Sequence, residues 1–175
     1  NERSNMIGFL PPEVTKCVEF GCSQGLFSKK IKEYYKAECW GIDIDKESIS
    51  IAKQYLDKAI LGDAFEVISQ LPLNYFDCLV CNDFLEHLAY PDIFLKEVKK
   101  CMKEGAFLVA SFPNVRSWSN VLEFLIYKDW KYKDAGILDK THLRSYTMKS
   151  LKRFLVENEL KIDLFLGTRP SKSKI

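Results

Sequence analysis

The run Phe76-Asp-Cys-Leu-Val-Cys81 is apolar at every position but one. A strand with one wet face alternates apolar and polar side chains, so a run without alternation belongs to a strand covered on both faces. Such strands sit in parallel sheets, where crossover helices lie above and below. The rest of the chain keeps that rhythm. Short β-type runs at Lys16–Phe20, Glu38–Asp43, Lys58–Leu61 and Ala106–Phe112 alternate with helical patterns at about Leu26–Tyr35, Lys46–Leu56 and a segment opening at Pro91. In that last helix Phe94, Val98, Cys101 and Met102 share one side, and Gly105 lies just past the end. The expected fold class is α/β, a doubly wound and mostly parallel sheet with helices on both faces.

At 175 residues the chain fits a single domain, residues 1–175. The rhythm breaks between 113 and 146, an excursion carrying Trp118, Phe124, Tyr127, Trp130 and Tyr132. Rings of this size need cover, which makes 113–146 a lid or a substrate-side wall. Thr147 reads as the N-cap of a following helix that carries Leu151, Phe154 and Leu155.

Charge and cysteine usage exclude several function classes. With 26 basic and 24 acidic residues the net charge is +2 and the lysines are scattered, so no nucleic-acid footprint is expected. No apolar run approaches the roughly 20 residues of a membrane helix, so no membrane partner is expected. Cys17, Cys39, Cys78 and Cys81 lie in or beside β-type runs, where thiols serve as small hydrophobes. Cys78 and Cys81 have knuckle spacing, but side chains three apart on a strand point to opposite faces. No second pair follows, and no metal is expected. Reduced thiols and an opening, NERSNMIGF, without a signal-peptide layout predict a cytoplasmic location.

The sharpest chemical signal is Glu19-Phe-Gly21-Cys22-Ser23-Gln-Gly25, which follows a strand and opens a helix. Gly21 permits the tight turn, and Gly25 permits close approach of ligand or helix. Alone, such a loop is equally an ordinary strand-to-helix turn. Asp43, at the tip of the next run, adds a carboxylate able to accept both ribose hydroxyls of a nucleoside. Pyrophosphate loops carry a third glycine. This loop lacks it, and with acidic Glu19 before it suits a nucleoside that bears a cationic amino-acid end and no phosphate.

Taken together these residues resemble the class I S-adenosylmethionine-dependent methyltransferases, which implies a Rossmann-like sheet. Glu19-x-Gly21-Cys22-Ser23-x-Gly25 is similar to that family's first motif, with Ser23 where many members carry glycine. The resemblance implies that Asp43 holds the ribose, that Ile44 lies against adenine, and that Asp63, within Gly62-Asp63-Ala64, meets the adenine amino group. It places Asn82, closing the fourth run, under the methionine portion of the cofactor. The likeness spans residues 14 to 160. Leu85-Glu-His-Leu88, Ser111-Phe-Pro-Asn-Val115, Trp130-x-Tyr132 and the Thr-His-Leu-Arg at 141–144 resemble a bacterial subgroup linked to surface-polysaccharide and sugar-modifying pathways. Ser145-Tyr146 departs from that subgroup's aromatic pair. Folds of this kind end with a sixth strand and an antiparallel seventh, whereas only Lys161–Leu166 is β-type after Thr147. Residues 161–168 are thus expected as the last strand of a sheet missing one member, its open edge inviting a homodimer.

The implied donor is a sulfonium whose methyl is already poised, so the main task is to align a small-molecule acceptor, and a general base adds roughly 10²–10⁴-fold. Only two histidines exist. His87 follows the fourth strand at the ligand-binding edge and His142 ends the excursion; each is a candidate base, or a ring bonded to a local carbonyl. Arg144 is a candidate clamp for an anionic substrate group, or a partner for Asp139. Asp83 and Glu86 are assigned to shaping the loop. Trp118, Trp130 and Tyr132 are candidates for the acceptor pocket, or packing for the lid. The function implied is methyl transfer to a small molecule such as a sugar or polysaccharide precursor. Two alternatives are a nicotinamide oxidoreductase, disfavoured by the missing glycine and by Asp63, and a non-catalytic methyltransferase-like binding module.

Overall fold

The computed structural model describes residues 2–167. Five strands, β1 (Lys16–Phe20), β2 (Glu38–Asp43), β3 (Lys58–Leu61), β4 (Phe76–Asn82) and β5 (Met102–Ser111), form one sheet in the order β3-β2-β1-β4-β5. Every pairing is parallel. The helices are α1 (Leu26–Tyr35), α2 (Lys46–Ala52), α3 (Ala64–Ile68), α4 (Pro91–Val98), α5 (Trp118–Tyr127) and α6 (Met148–Glu157). The chain winds outward through β2 and β3, then returns to lay β4 on the other side of β1. That reversal makes the β1/β4 boundary a switch point, where loops diverge and leave a crevice.

The apolar fourth run is explained by two cores. Leu79 and Cys81 face a cluster with Val18, Phe20, Phe94, Leu95 and Val98. Cys78 and Val80 face a second one with Cys17, Cys39, Phe27, Ile31 and Ile49. Successive residues point to opposite faces, so β4 contributes to both. The exception in the run, Asp77, joins the strands' lower ends: its carboxylate accepts from the backbone N–H of Thr15 (3.0 Å) and Lys16 (2.9 Å), from the Thr15 hydroxyl, and from Lys103 Nζ (3.2 Å).

Four features depart from the expectations above. β5 begins at Met102, which pairs with Phe76 and so is not part of the preceding helix; Phe107 pairs with Cys78, and the register shift between them leaves residues 103–106 bulged. Gly105, at φ +73°, serves that bulge and not a helix end. Residues 64–68 form a short helix that periodicity did not announce, capped by Asp63 through Phe65 N–H (2.8 Å). Residues 161–167 form no strand, and residue 168 lies outside the described residues. A strand exists only through its ladder, and no ladder partner meets this segment. Among the described residues the sheet therefore ends at β5.

The excursion also differs. Its ends are pinned together by a parallel bridge between Asn114 and Tyr146 and by Val115 N–H to Tyr146 O (3.0 Å). Yet α5 buries only Asn120, and Trp118 is 77% exposed. Tyr146 is buried against Phe112 and Phe154. The Thr147 cap forms as expected, with Ser150 completing a reciprocal capping box.

Burial alone would raise the Asp77 carboxyl, but its hydrogen bonds from Thr15, Lys16 and Lys103 outweigh this and hold it below the usual carboxylate range. A depressed folded-state pKa contributes stability that is complete above the unfolded value, about 3.9, and fades as pH falls through the folded one. Asp77→Asn is expected to destabilise at pH 7, and the gap to the wild type is expected to narrow as pH falls to 2. Urea unfolding at the two pH values measures this; an equal gap at both would show that the charge contributes nothing.

Candidate functional site

Five residues of backbone shape the first half of the site. Leaving β1, the chain places Gly21, Ser23 and Gly25 at φ +70°, +48° and +72°, all left-handed. Such a path turns N–H groups outward and back onto a neighbour. Gly21 N–H and Cys22 N–H both donate to Ile42 O, at 2.9 and 3.1 Å. One residue on, Ser23 N–H donates to Asp43 Oδ2 at 2.7 Å, while Asp45 N–H meets Oδ1 at 2.9 Å. The loop is thus docked on the carboxyl end of β2, and Asp43 faces it directly.

Gly41 makes the docking possible. A Cβ there would lie 2.6 Å from Leu56 Cδ1 and 2.7 Å from Cys22 Sγ. This residue was not singled out from the sequence; a glycine inside a β-type run was the available signal of close approach. Gly25 plays its expected packing part, since a Cβ would stand 3.0 Å from Ala52 Cβ on α2. Cys22 is buried, and burial first, then the charges of Glu19 and Asp43, push its thiol far up, so it is inert packing. Glu19 is 1% exposed and accepts Ser28 Oγ at 2.6 Å. It therefore anchors α1 beneath the loop.

The neighbouring strand ends supply the rest. Ile44, just past β2, is exposed and apolar. Asp63 has one carboxylate oxygen engaged in capping α3, and Ala64 is buried behind it. Asn82 closes β4 at 1% exposure, and neither its Nδ2 nor its Oδ1 has a hydrogen-bond partner among the described residues. An unmet buried amide costs roughly 1–3 kcal/mol, the kind of cost retained where a ligand will meet the group. These observations fit the nucleoside cofactor that the sequence suggested.

The second half is made by two segments distant in sequence. After β4, Asp83 takes φ +47° and donates its N–H to Ser111 O, while Ser111 Oγ donates to Asp83 Oδ1 (2.8 Å). A 3-10 turn over Leu85–His87 follows. Leu143 and Arg144 N–H both donate to Glu86 O, at 2.9 and 3.0 Å, and the Arg144 guanidinium donates to Ala89 O. Arg144 thereby staples two backbones; its bond is to a carbonyl and not to Asp139.

This stapling brings His87 and His142 together, ring centroids 4.8 Å apart at 70°. His87 Nδ1 lies 3.3 Å from Thr141 O and 3.1 Å from Thr141 Oγ1. Thr141 gives its hydroxyl proton to Asp139 Oδ1 (2.6 Å), so it can only accept from His87. His142 Nδ1 faces Ile137 O at 3.1 Å. Both rings thus carry a proton on Nδ1, and it is the neutral form of each that leaves Nε2 bare. The same Thr141 bonds hold the Asp139 carboxyl below its ordinary range. Of the aromatic candidates, Trp130 packs on Phe124 (6.0 Å), and Trp118 and Tyr132 are exposed.

An open parallel sheet with a docked glycine loop, a facing acid and an unpaired amide at its switch point defines a Rossmann-like nucleoside-cofactor domain. Residues 18–110, just over half of the chain, match the family model described as a methyltransferase domain. The chain belongs to that family, and the cofactor is S-adenosylmethionine. It is 29% identical over 110 residues to a ubiquinone biosynthesis O-methyltransferase of Idiomarina loihiensis, covering 59% of this chain and 45% of that protein. To the protein of the same name in Bradyrhizobium diazoefficiens it is 22% identical, covering 84% and 58%. The chain thus spans about half the length of these curated relatives. A SAM-dependent methyltransferase from Archaeoglobus fulgidus shares the fold at TM-score 0.70 and 22% identity, over 89% of this chain and 66% of that one.

Gly41→Ala should force Cys22 and Leu56 aside, lowering stability by roughly 1–3 kcal/mol and loosening the loop. Thermal unfolding and S-adenosylmethionine titration together check this. An unchanged melt with unchanged affinity would mean the loop does not depend on that contact.

Proposed function

We propose that this domain moves the methyl group of S-adenosylmethionine to a hydroxyl oxygen of a small molecule. The bond between Ser23 N–H and Asp43 carries the reading, because it sets a ribose-type acid against a phosphate-free loop. The cofactor supplies an electrophilic methyl on a sulfonium, with a neutral thioether as leaving group. In this reading the backbone of Gly21 to Ser23 lines the cofactor's path, and Cys22, Gly25 and Glu19 hold that backbone in place. Asp43 takes the ribose hydroxyls, Ile44 and Ala64 flank adenine, Asp63 offers its free carboxylate oxygen to the adenine amino group, and Asn82 pairs with the methionine portion. His87 and His142 handle the acceptor through their bare Nε2 atoms, and Arg144 fixes the loop that carries them. Trp118, Trp130 and Tyr132 offer exposed rings to the acceptor side.

O-methylation is favoured because the relatives above bear that activity in their names. A sugar or polysaccharide precursor, implied by the subgroup resemblance, gains no support from them. A hydroxyl acceptor is what the two readings share. No helix among the described residues is long and apolar enough to cross a membrane, and the six cysteines are free, which suits the reducing cytoplasm.

Titration calorimetry with S-adenosylmethionine, its demethylated product and NAD tests the cofactor. Asp43→Ala should weaken S-adenosylmethionine binding by roughly 1–3 kcal/mol. Binding of NAD alone would overturn the proposal. Labelled donor presented with phenols, alcohols and sugar nucleotides tests transfer; donor binding with no turnover across that panel would mark a binding module.

A further inference from the structure

His87 and His142 are the only histidines in the chain, yet their rings meet. Both spend their Nδ1 proton on backbone carbonyls or a hydroxyl, the arrangement that orients metal-bound imidazoles and raises their basicity. Glu86, which precedes His87 in the chain, is 0% exposed. A carboxylate oxygen of Glu86 and one ring nitrogen from each histidine all lie within 4.8 Å of one another. Donors around one ion at bond lengths near 2.1 Å sit about 3.4 Å apart, so a swing of the imidazoles about their Nδ1 bonds closes the set.

We propose that Glu86, His87 and His142 form a binding site for a divalent transition-metal cation, Zn²⁺ in the first instance. Two imidazoles and one carboxylate suit borderline ions such as zinc, manganese or iron, and three protein ligands leave positions open to oxygen donors. The six buried thiols do not compete. The staple from Arg144 and Leu143 to Glu86 O sets the distance between the two halves of the site, so the ligands come from both sides of a closed loop. A bound ion would take up the ring nitrogens of both histidines, so contact with the acceptor hydroxyl would pass from the bare rings to the ion's open positions, and in that respect its role rests on the function proposed above. Its binding does not.

The test uses the untagged chain, stripped with a chelator and titrated calorimetrically with ZnCl₂, with S-adenosylmethionine affinity measured on the same samples. One ion per chain is expected. His142→Gln and His87→Gln should each weaken zinc at least 10-fold while leaving the circular dichroism spectrum and S-adenosylmethionine affinity unchanged. Glu86→Gln should do the same, and because its carboxylate is buried, the two histidine variants decide if it fails to fold. Substituted Co²⁺ should show visible bands in the wild type that vanish in His142→Gln. Absence of stoichiometric uptake, or zinc binding by His142→Gln equal to wild type, overturns the site. Zinc bound without S-adenosylmethionine binding would instead sink the methyltransferase reading and leave the metal site standing.

Discussion

The docking of the glycine loop on the end of β2 is the constraint from which the rest of the site follows. Ile42 O takes two N–H groups of the loop and Asp43 takes a third. Each bond is worth only about 1 kcal/mol net, but they act on one rigid turn and so fix its direction. With the turn fixed, α1 must leave at Gly25 and pack on α2, and Glu19 can reach Ser28 beneath it. A side chain at Gly41 would displace Cys22 and undo the arrangement from below.

The sheet provides the platform because its central strands have no wet face. β4 feeds both cores, so its end cannot shift without cost on either side. Asn82 is therefore held rigidly at the switch point with its amide unmet. A polar group in that position is tolerated because neighbouring packing exceeds its cost; on a mobile loop it would turn to water. The bulge at 103–106 bends β5 at its start, and pairing resumes from Phe107 to Ser111 beside the upper half of β4.

The half of the site that carries the two histidines has a different physical basis. It is loop structure held by main-chain bonds to Glu86 O and by one guanidinium on Ala89 O. The histidine tautomers are decided by these loops through Thr141, Asp139 and Ile137. Aromatic content in the excursion does not by itself bury it, since α5 buries only Asn120. Its rings stay at the surface, where Phe124 and Trp130 cover one another.

Sequence by itself determined the α/β alternation, the five β-type runs, the loop from Gly21 to Gly25 and the acid at Asp43. These rest on local rules: side-chain alternation, the left-handed freedom of glycine, and short spacing between strand tips. The tertiary structure alone decided three things. Residues 161–167 stay out of the sheet, since a strand needs a partner that periodicity does not reveal. Met102 joins β5, since register is set by the neighbouring strand. Glu86, His87 and His142 converge, since their nearness depends on backbone bonds between segments far apart in the chain. The thiol spacing that a sequence reading weighs for metal is buried core, while the donors that meet carry no spacing signal, because proximity across a closed loop is a property of the fold and not of the order of residues.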